Sequence, residues 1–217
     1  MNKNLAYLAG VLRDGSVYFH KKFNLPRVSI VSNNKEFLIT IIRKIFQEEF
    51  GSHGTLTENI PKNFRLEVRK KNIFDFCVNE LEFVVGNQSF WSTPTAIKNS
   101  DIEIQREYIK GFFDAEGTVI IYDKLYDCCI RIYQSWNKFG ACPPLEDIKE
   151  ILKSLNIHCT LAYANKPHGK TNKIPNYALI IRKKESIKKF IELIGSSHPD
   201  KLKKLLVLNK KIKFAGD

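Results

Sequence analysis

No two of the five cysteines in this 217-residue chain stand at CxxC spacing, and their number is odd. Cys77, Cys128, Cys129, Cys142 and Cys159 therefore argue against a zinc site and a disulfide framework, and for a reducing interior with mostly buried thiols. Long apolar runs are missing too. No stretch approaches the roughly 18 residues of a membrane span, and the opening MNKNLAYLAGVLRDG lacks a signal peptide's apolar segment. The expected setting is intracellular and soluble, a prokaryotic cytoplasm or an organelle matrix, with no membrane partner. Acids are also scarce, 23 Asp and Glu against 35 Lys and Arg, for a net charge of +12. That excess points to a polyanion, nucleic acid above all, over a merely solvated lysine surface. Core-forming residues are not short. With 43% hydrophobic and 12% aromatic residues, the chain can fill one large domain or two smaller ones.

What the sequence does hold is a duplication. Shifted by 102 residues, DGSVYFHKKFNLPRVSIVS (14–32) matches EGTVIIYDKLYDCCIRIYQ (116–134) without a gap. At an offset of 113, LEVRKKNIFDF (66–76) matches LIIRKKESIKKF (179–190), which implies insertions in the second copy around 138–144 and 164–175. STPTAIKNS (92–100) then matches SHPDKLKKL (197–205), with Pro94 opposite Pro199 and Lys98 opposite Lys203. Alternating and helical patterns give each copy the order helix, two strands, helix, two strands, helix. The expected fold is α+β, two pseudo-two-fold-related αββαββα half-domains at 1–86 and 101–217 with a linker at 87–100.

Each copy opens on a helix ending in an acid, a glycine and a strand: YLAGVLRDGSV (7–17) and YIKGFFDAEGTV (108–119). Small residues one turn apart, Ala6 and Gly10 in the first and Gly111 and Ala115 in the second, let two helix backbones approach closely. If the helices pack together, Asp14 and Glu116 meet at their C-terminal ends. A carboxylate there opposes the helix dipole by roughly 0.3–1 kcal/mol, and a second adds repulsion, so a compensating cation is expected. Carboxylates beside helix-end carbonyls make a hard oxygen site suited to Mg²⁺. Such a site can activate water and stabilise the leaving oxygen of a phosphodiester. Asp114 reads as a helix-end acid, not a ligand. The register of the first helix stays open. Aligning Gly10 with Gly111 leaves the first motif one residue short, whereas the ungapped offset pairs Ala9 with Gly111.

The paired motifs resemble the LAGLIDADG homing endonucleases, in the single-chain two-motif form of archaeal or organellar introns, over essentially the whole chain. The resemblance implies a β-saddle over double-stranded DNA with the motif helices packed at its centre, and a monomer acting as a pseudo-dimer. It implies a double-strand break at a long recognition site, with Mg²⁺ as cofactor and Mn²⁺ or Ca²⁺ able to occupy the same positions. By position, Asp14 and Glu116 match the metal acids, with the backbone carbonyls of Arg13 and Ala115 beside them. Lys98 and Lys203 match the basic residue near the scissile phosphates, with Lys201 and Lys204 as neighbours of the latter. Gln134, with Ser32 as its counterpart, matches a polar position that orders water. An opening Met and a closing KIKFAGD without self-splicing residues favour an intron-type protein over an intein. The alternatives on the same scaffold are an RNA maturase acting on intron RNA and a non-cleaving DNA-binding regulator. Regulators of that kind typically lose the motif acids, and this chain keeps both.

Strand alternation separates a core face from an outward one. The expected DNA contacts are Ser16, Tyr18, His20 and Lys22, then Arg27, Ser29 and Ser32, then Arg65, Glu67 and Arg69. In the second copy they are Lys124, Arg131, Tyr133, Gln134 and Arg182. Arginine suits guanine edges, each good bidentate contact giving ~1–3 kcal/mol of discrimination. Lysines, among them Lys21, Lys166, Lys170 and Lys173, suit phosphates.

Overall fold

The computed structural model describes residues 1–20, 22, 25–85, 91–124, 127–137, 140–165 and 174–214. The expectations for Lys21, Lys166, Lys170 and Lys173, and the start of the 87–100 stretch, lie outside the described residues. Asn2 starts the first helix by accepting the Leu5 N–H at 2.9 Å, and α1 (Lys3–Val11) follows. Its end tightens into a 3-10 turn, Leu12–Asp14, before β1 (Gly15–His20) and β2 (Leu25–Ser32). Asn34 caps the next helix through the Phe37 N–H at 2.9 Å. That helix begins as α2 (Lys35–Phe37), widens into a π segment at Leu38–Ile42, and resumes as α3 (Arg43–Phe50). Gly51 ends it in the left-handed region at φ +60°, with the Ser52 N–H on the Phe46 carbonyl. Then come β3 (Thr55–Ile60), β4 (Asn63–Val68), α4 (Lys71–Asp75) with a π segment at Phe76–Glu80, and the short α5 (Thr95–Lys98).

The second copy opens on α6 (Ile102–Glu116) and runs through β5 (Gly117–Ile120), β6 (Cys129–Ser135), α7 (Pro143–Ser154), β7 (Thr160–Asn165) and β8 (Asn176–Ile181). It closes with α8 (Lys184–Leu193) and α9 (Pro199–Phe214). The four-stranded antiparallel sheets have matching orders, β1-β2-β4-β3 and β5-β6-β8-β7. Registers match too. Gly15 pairs Ile30 as Gly117 pairs Ile132, an offset of 102, and Ile30 pairs Leu66 as Ile132 pairs Leu179, an offset of 113 on the latter strand. Leu56 against Leu161 gives 105, which assigns three inserted residues before β7 and eight to the β7–β8 connection. Even the bulge recurs, between Glu58 and Ile60 and between Tyr163 and Asn165.

By contact the chain divides into Met1–Ala115 with Ser197–Pro199, and Glu116–Ser196 with Asp200–Asp217. The sequence repeat restarts at α6, whereas α6 packs with α1, so repeat and packing boundaries differ. In each unit the helices cover one sheet face, with Val17, Ile30, Leu38, Leu66 and Val68 buried in the first and Ile130, Ile132, Ile148, Leu152 and Leu179 in the second. The cysteines are unbridged, four of them buried, and burial pushes the Cys77 thiol up to about 12. No helix among the described residues is long and apolar enough to cross a membrane. Two helices have no forerunner in the sequence patterns, α5 and the sixteen-residue α9.

Candidate functional site

The helices α1 and α6 touch backbone to backbone. A Cβ on Gly10 would run into the Tyr108 carbonyl and the Phe112 amide, and one on Gly111 into the Tyr7 carbonyl and Val11 amide. Gly10 and Gly111 are therefore equivalents, as are Tyr7 and Tyr108, each pair 101 apart. That settles the register in favour of the shorter first motif. The 3-10 turn Leu12–Asp14 explains how the acid stays in step. Three 3-10 residues rise about 6 Å, the same as four α-helical residues, so the tightened turn recovers the missing one. In α6 the helix stays α to Glu116. Asp14 is exposed and Glu116 half-buried, each the last residue before a strand that opens on glycine.

Close before the two acids, one and two residues away, stand the most deeply buried charges among the described residues. Arg13 is only 2% exposed. Its guanidinium donates to the Trp91 carbonyl, to the Ser92 carbonyl at 2.8 Å and to the Tyr108 hydroxyl at 3.1 Å, and lies 4.0 Å over the Trp91 ring. Asp114, also 2% exposed, accepts from the Tyr7 hydroxyl at 2.6 Å and from the amides of Ser197 at 2.8 Å and His198 at 3.2 Å. Burial, with that carboxylate beside it, pushes the Tyr7 phenol well above its ordinary value and keeps it a donor. The sequence alone points to Arg13 only for its carbonyl and to Asp114 only as a helix-end acid. An arginine in an otherwise apolar stretch, LAGVLR, is the signal that could have marked the first of them.

Lys98 ends α5, exposed, with its carbonyl taking a hydrogen bond from the Gln105 side chain at 3.0 Å. Lys203 and Lys204 are exposed on α9, and Lys201 is half-buried. Gln134, expected both beside the site and among the DNA contacts, faces inward. It lies on the core face of β6 with Ile130 and Ile132, 7% exposed, donating to the Ser135 carbonyl at 3.0 Å. Its Oε1 is buried without a hydrogen-bond partner among the described residues. Ser32, its register equivalent, shares the same face of β2 as Val28 and Ile30, and its hydroxyl accepts the Asn34 N–H at 3.1 Å.

The remaining residues sort by strand face. In the first sheet Ser16, Tyr18, Arg27, Ser29, Arg65 and Glu67 share the outward side through the pairs Ser16–Ser29, Tyr18–Arg27 and Ser29–Glu67, with His20 and Arg69 at its margins. Ser29 is nearly covered, its hydroxyl 2.8 Å from that of Ser16. Glu67 holds Arg69 at 2.6 Å and Arg27 at 3.8 Å. In the second sheet Arg131 and Tyr133 face outward, Arg131 Nη1 lying 3.4 Å from the Tyr133 hydroxyl. The Nε atoms of Arg27, Arg65 and Arg131 are covered without a partner among the described residues. Arg131 and Arg182 line one cleft with Tyr122 and Asp127. Lys22 and Lys124 are exposed in the β1–β2 and β5–β6 connections. The latter connection is fastened by a residue with no signal in the sequence, Lys211 of α9, which donates to the carbonyls of Tyr122 and Asp123 at 2.6 Å each.

Among the described residues no cluster of three or more His, Cys, Asp or Glu could hold a metal. An ion at Asp14 or Glu116 would need backbone, water or substrate oxygens to complete its shell.

Three comparisons bear on these observations. A family model described as the LAGLIDADG-like domain matches residues 103–195. The sequence is similar to that of homing endonuclease I-ApeI from Aeropyrum pernix, 30% identical over 207 residues, which cover 93% of this chain and 85% of the relative. The fold is similar to that of I-DmoI in complex with DNA and Ca, at a TM-score of 0.65 and 24% identity, covering 96% of this chain and 97% of that one. It is similar also to I-DmoI in complex with DNA and Mn, at a TM-score of 0.62 and 22% identity, covering 90% and 98%.

Proposed function

The chain belongs to the LAGLIDADG homing endonuclease family, and from that premise we propose that it is a site-specific DNA endonuclease. The observation that carries this reading is the retention of an acid at both helix–strand junctions, Asp14 and Glu116, behind helices that meet at Gly10 and Gly111. The relative's name, homing endonuclease, supports it, as do the I-DmoI complexes with DNA and divalent ions. A maturase or a regulator would not require both acids to be kept.

The finer assignments are part of the same proposal. Asp14 and Glu116, with the carbonyls of Arg13 and Ala115, would hold Mg²⁺. The donor set fits, being all hard oxygen and short of a full shell, so that water and phosphate oxygens complete it. When bound, the ion supplies a Lewis acid for the phosphoryl oxygens and lowers the pKa of water. Lys98 and Lys203 would offset charge that develops on the phosphate. Gln134 Oε1, a buried acceptor with no partner among the described residues, suits orientation of the attacking water, with Ser32 opposite. The outward arginines Arg27, Arg65, Arg69 and Arg131 would read base edges, with Ser16, Tyr18, His20, Tyr133 and Arg182 beside them. Glu67 would set the arginines' direction, while Lys22 and Lys124 take phosphates. The partner is double-stranded DNA, and intron RNA remains the alternative polymer for the same basic surface.

Purified protein with Mg²⁺ and a plasmid carrying the uninterrupted host allele is expected to give linear product, and EDTA to abolish it. Tight binding with no cut in any divalent metal would sink the nuclease reading and favour the regulator. Replacing Arg65 and Arg69 with glutamine should weaken binding by ~1–3 kcal/mol for each base edge the arginines read, and relax specificity at those positions. Unchanged affinity and specificity would remove that sheet from the interface.

A further inference from the structure

Once Gly10 is equated with Gly111, Arg13 and Asp114 occupy the same position of the two motif helices, three residues beyond the glycine. Both are buried to 2% exposure. Both hold the segment that precedes a lysine-bearing helix: Trp91 and Ser92 lead through Pro94 into α5, and Ser197 and His198 lead through Pro199 into α9. The lysine follows the proline by four residues in each, at Lys98 and Lys203. With Ser92 matched to Ser197, the peptide groups held are also equivalent, those joining 91–92 and 92–93 in one copy and 196–197 and 197–198 in the other. Only the polarity is exchanged. Arg13 takes these peptides by their carbonyls, and Asp114 takes them by their amides.

The two tyrosines complete the inversion. Tyr7, on the first motif helix, donates to Asp114 of the second, and Tyr108, on the second, accepts from Arg13 of the first. A hydroxyl can do either, so equivalent tyrosines serve opposite charges. A buried charge is a costly way to fill space, and an apolar side chain of similar volume would serve packing as well or better. What charge-assisted hydrogen bonds add is direction, because two peptide groups must present one chosen edge to one charged group.

We propose that Arg13 and Asp114 are positioning residues of inverted charge, each setting where one lysine, Lys98 or Lys203, stands relative to the acid that follows on its own motif helix. Arg13 precedes Asp14 directly, and Asp114 stands two residues before Glu116, so each clamp ties a motif-helix end to one lysine helix. The proposal rests on the reading of Lys98 and Lys203 as phosphate-facing groups. Its consequence is strand-specific: damage to one clamp affects the cutting of one DNA strand.

Two measurements on the full chain test it. In native-state amide exchange, Arg13→Lys is expected to raise exchange across 92–98 with 197–203 unchanged, and Asp114→Asn to do the reverse. In single-turnover cleavage of end-labelled duplex, each variant is expected to slow one strand about tenfold, a different strand for each, because small misplacements of this kind are kinetically expensive. Nicked intermediate should accumulate while affinity for DNA without metal stays within about twofold. Tyr108→Phe and Tyr7→Phe keep the charges and remove one hydrogen bond each, so they should give smaller biases toward the same strands as Arg13→Lys and Asp114→Asn respectively. They also serve if a charge variant fails to fold. Equal slowing of both strands, or unchanged exchange, would overturn the proposal. If the wild type cuts no DNA, the endonuclease reading falls, while the exchange experiment still decides whether the clamps exist.

Discussion

Asp14→Asn and Glu116→Gln are each expected to lower DNA cleavage by roughly three orders of magnitude, the scale of removing a group that stabilises charge in a transition state. Neither should weaken binding measured in EDTA. Each removes a negative charge from a surface meant to meet phosphates, so affinity should hold or rise slightly, with little change in its salt dependence. Nor should folding suffer. Both carboxylates stand at helix C-terminal ends, against the dipole, a position worth roughly 0.3–1 kcal/mol to a neutral replacement. The expected signature is therefore lost activity beside an unchanged or slightly higher melting temperature, the usual sign of a group kept for function at the expense of stability. Gel-shift, thermal melting and plasmid cleavage on the same preparations decide it. Loss of cleavage accompanied by loss of binding or of folded protein would mean that the acids are structural. Full cleavage by either variant would remove that acid from the proposed metal site.

The local layers of this organisation are legible in the sequence. Alternation in SVYFHKK and FRLEVR separates the outward faces correctly, because side-chain period in a strand is fixed by the pleat. Asn34 and Gly51 mark a helix start and stop because capping chemistry needs those residue types. The offsets 102 and 113 survive as sheet registers, since a one-residue slip would turn every buried side chain outward. What is not legible depends on partners distant in sequence. That Arg13 meets residues 91–92, or Asp114 residues 197–198, cannot be read from either neighbourhood. The 3-10 turn that absorbs the short first motif has no residue signature. Gln134 illustrates a third case. Face assignment puts it with Ile130 and Ile132, while its polar character argues for an exposed role, and the inward position prevails. The α9 helix is hidden because only its first residues match the earlier copy, where the equivalent helix stops after Lys98.

The largest stability effect should come from a single methyl group. Gly111→Ala would add a Cβ that collides with the Tyr7 carbonyl oxygen and comes within 2.9 Å of its carbon and 3.1 Å of the Val11 amide. Gly10→Ala would do the same against the Tyr108 carbonyl and Phe112 amide, and sit 2.8 Å from the Gly111 carbonyl carbon. The colliding atoms are backbone, so no rotamer change relieves them. The helices must separate, opening the contacts that also orient Tyr7, Tyr108, Arg13 and Asp114. Against this stands the intrinsic preference of a helix for alanine, about 1 kcal/mol. Overpacking usually costs about 1–3 kcal/mol, and a rigid backbone clash belongs at or beyond its upper end. We therefore expect a net loss of about 2 kcal/mol or more from either variant, a large part of a typical stability of about 5–15 kcal/mol. The double variant should lose less than the sum, because once the helices have parted the second methyl finds room. Gly51→Ala is the control. Its added Cβ meets nothing within 4 Å, but the backbone sits at φ +60°, so only left-handed strain of about 1–2 kcal/mol is expected. Urea midpoints of the four variants would order them, with Gly51→Ala the mildest. If Gly111→Ala unfolds near the wild-type midpoint, the helices do not meet backbone to backbone. The register that equates Arg13 with Asp114 would then lose its support.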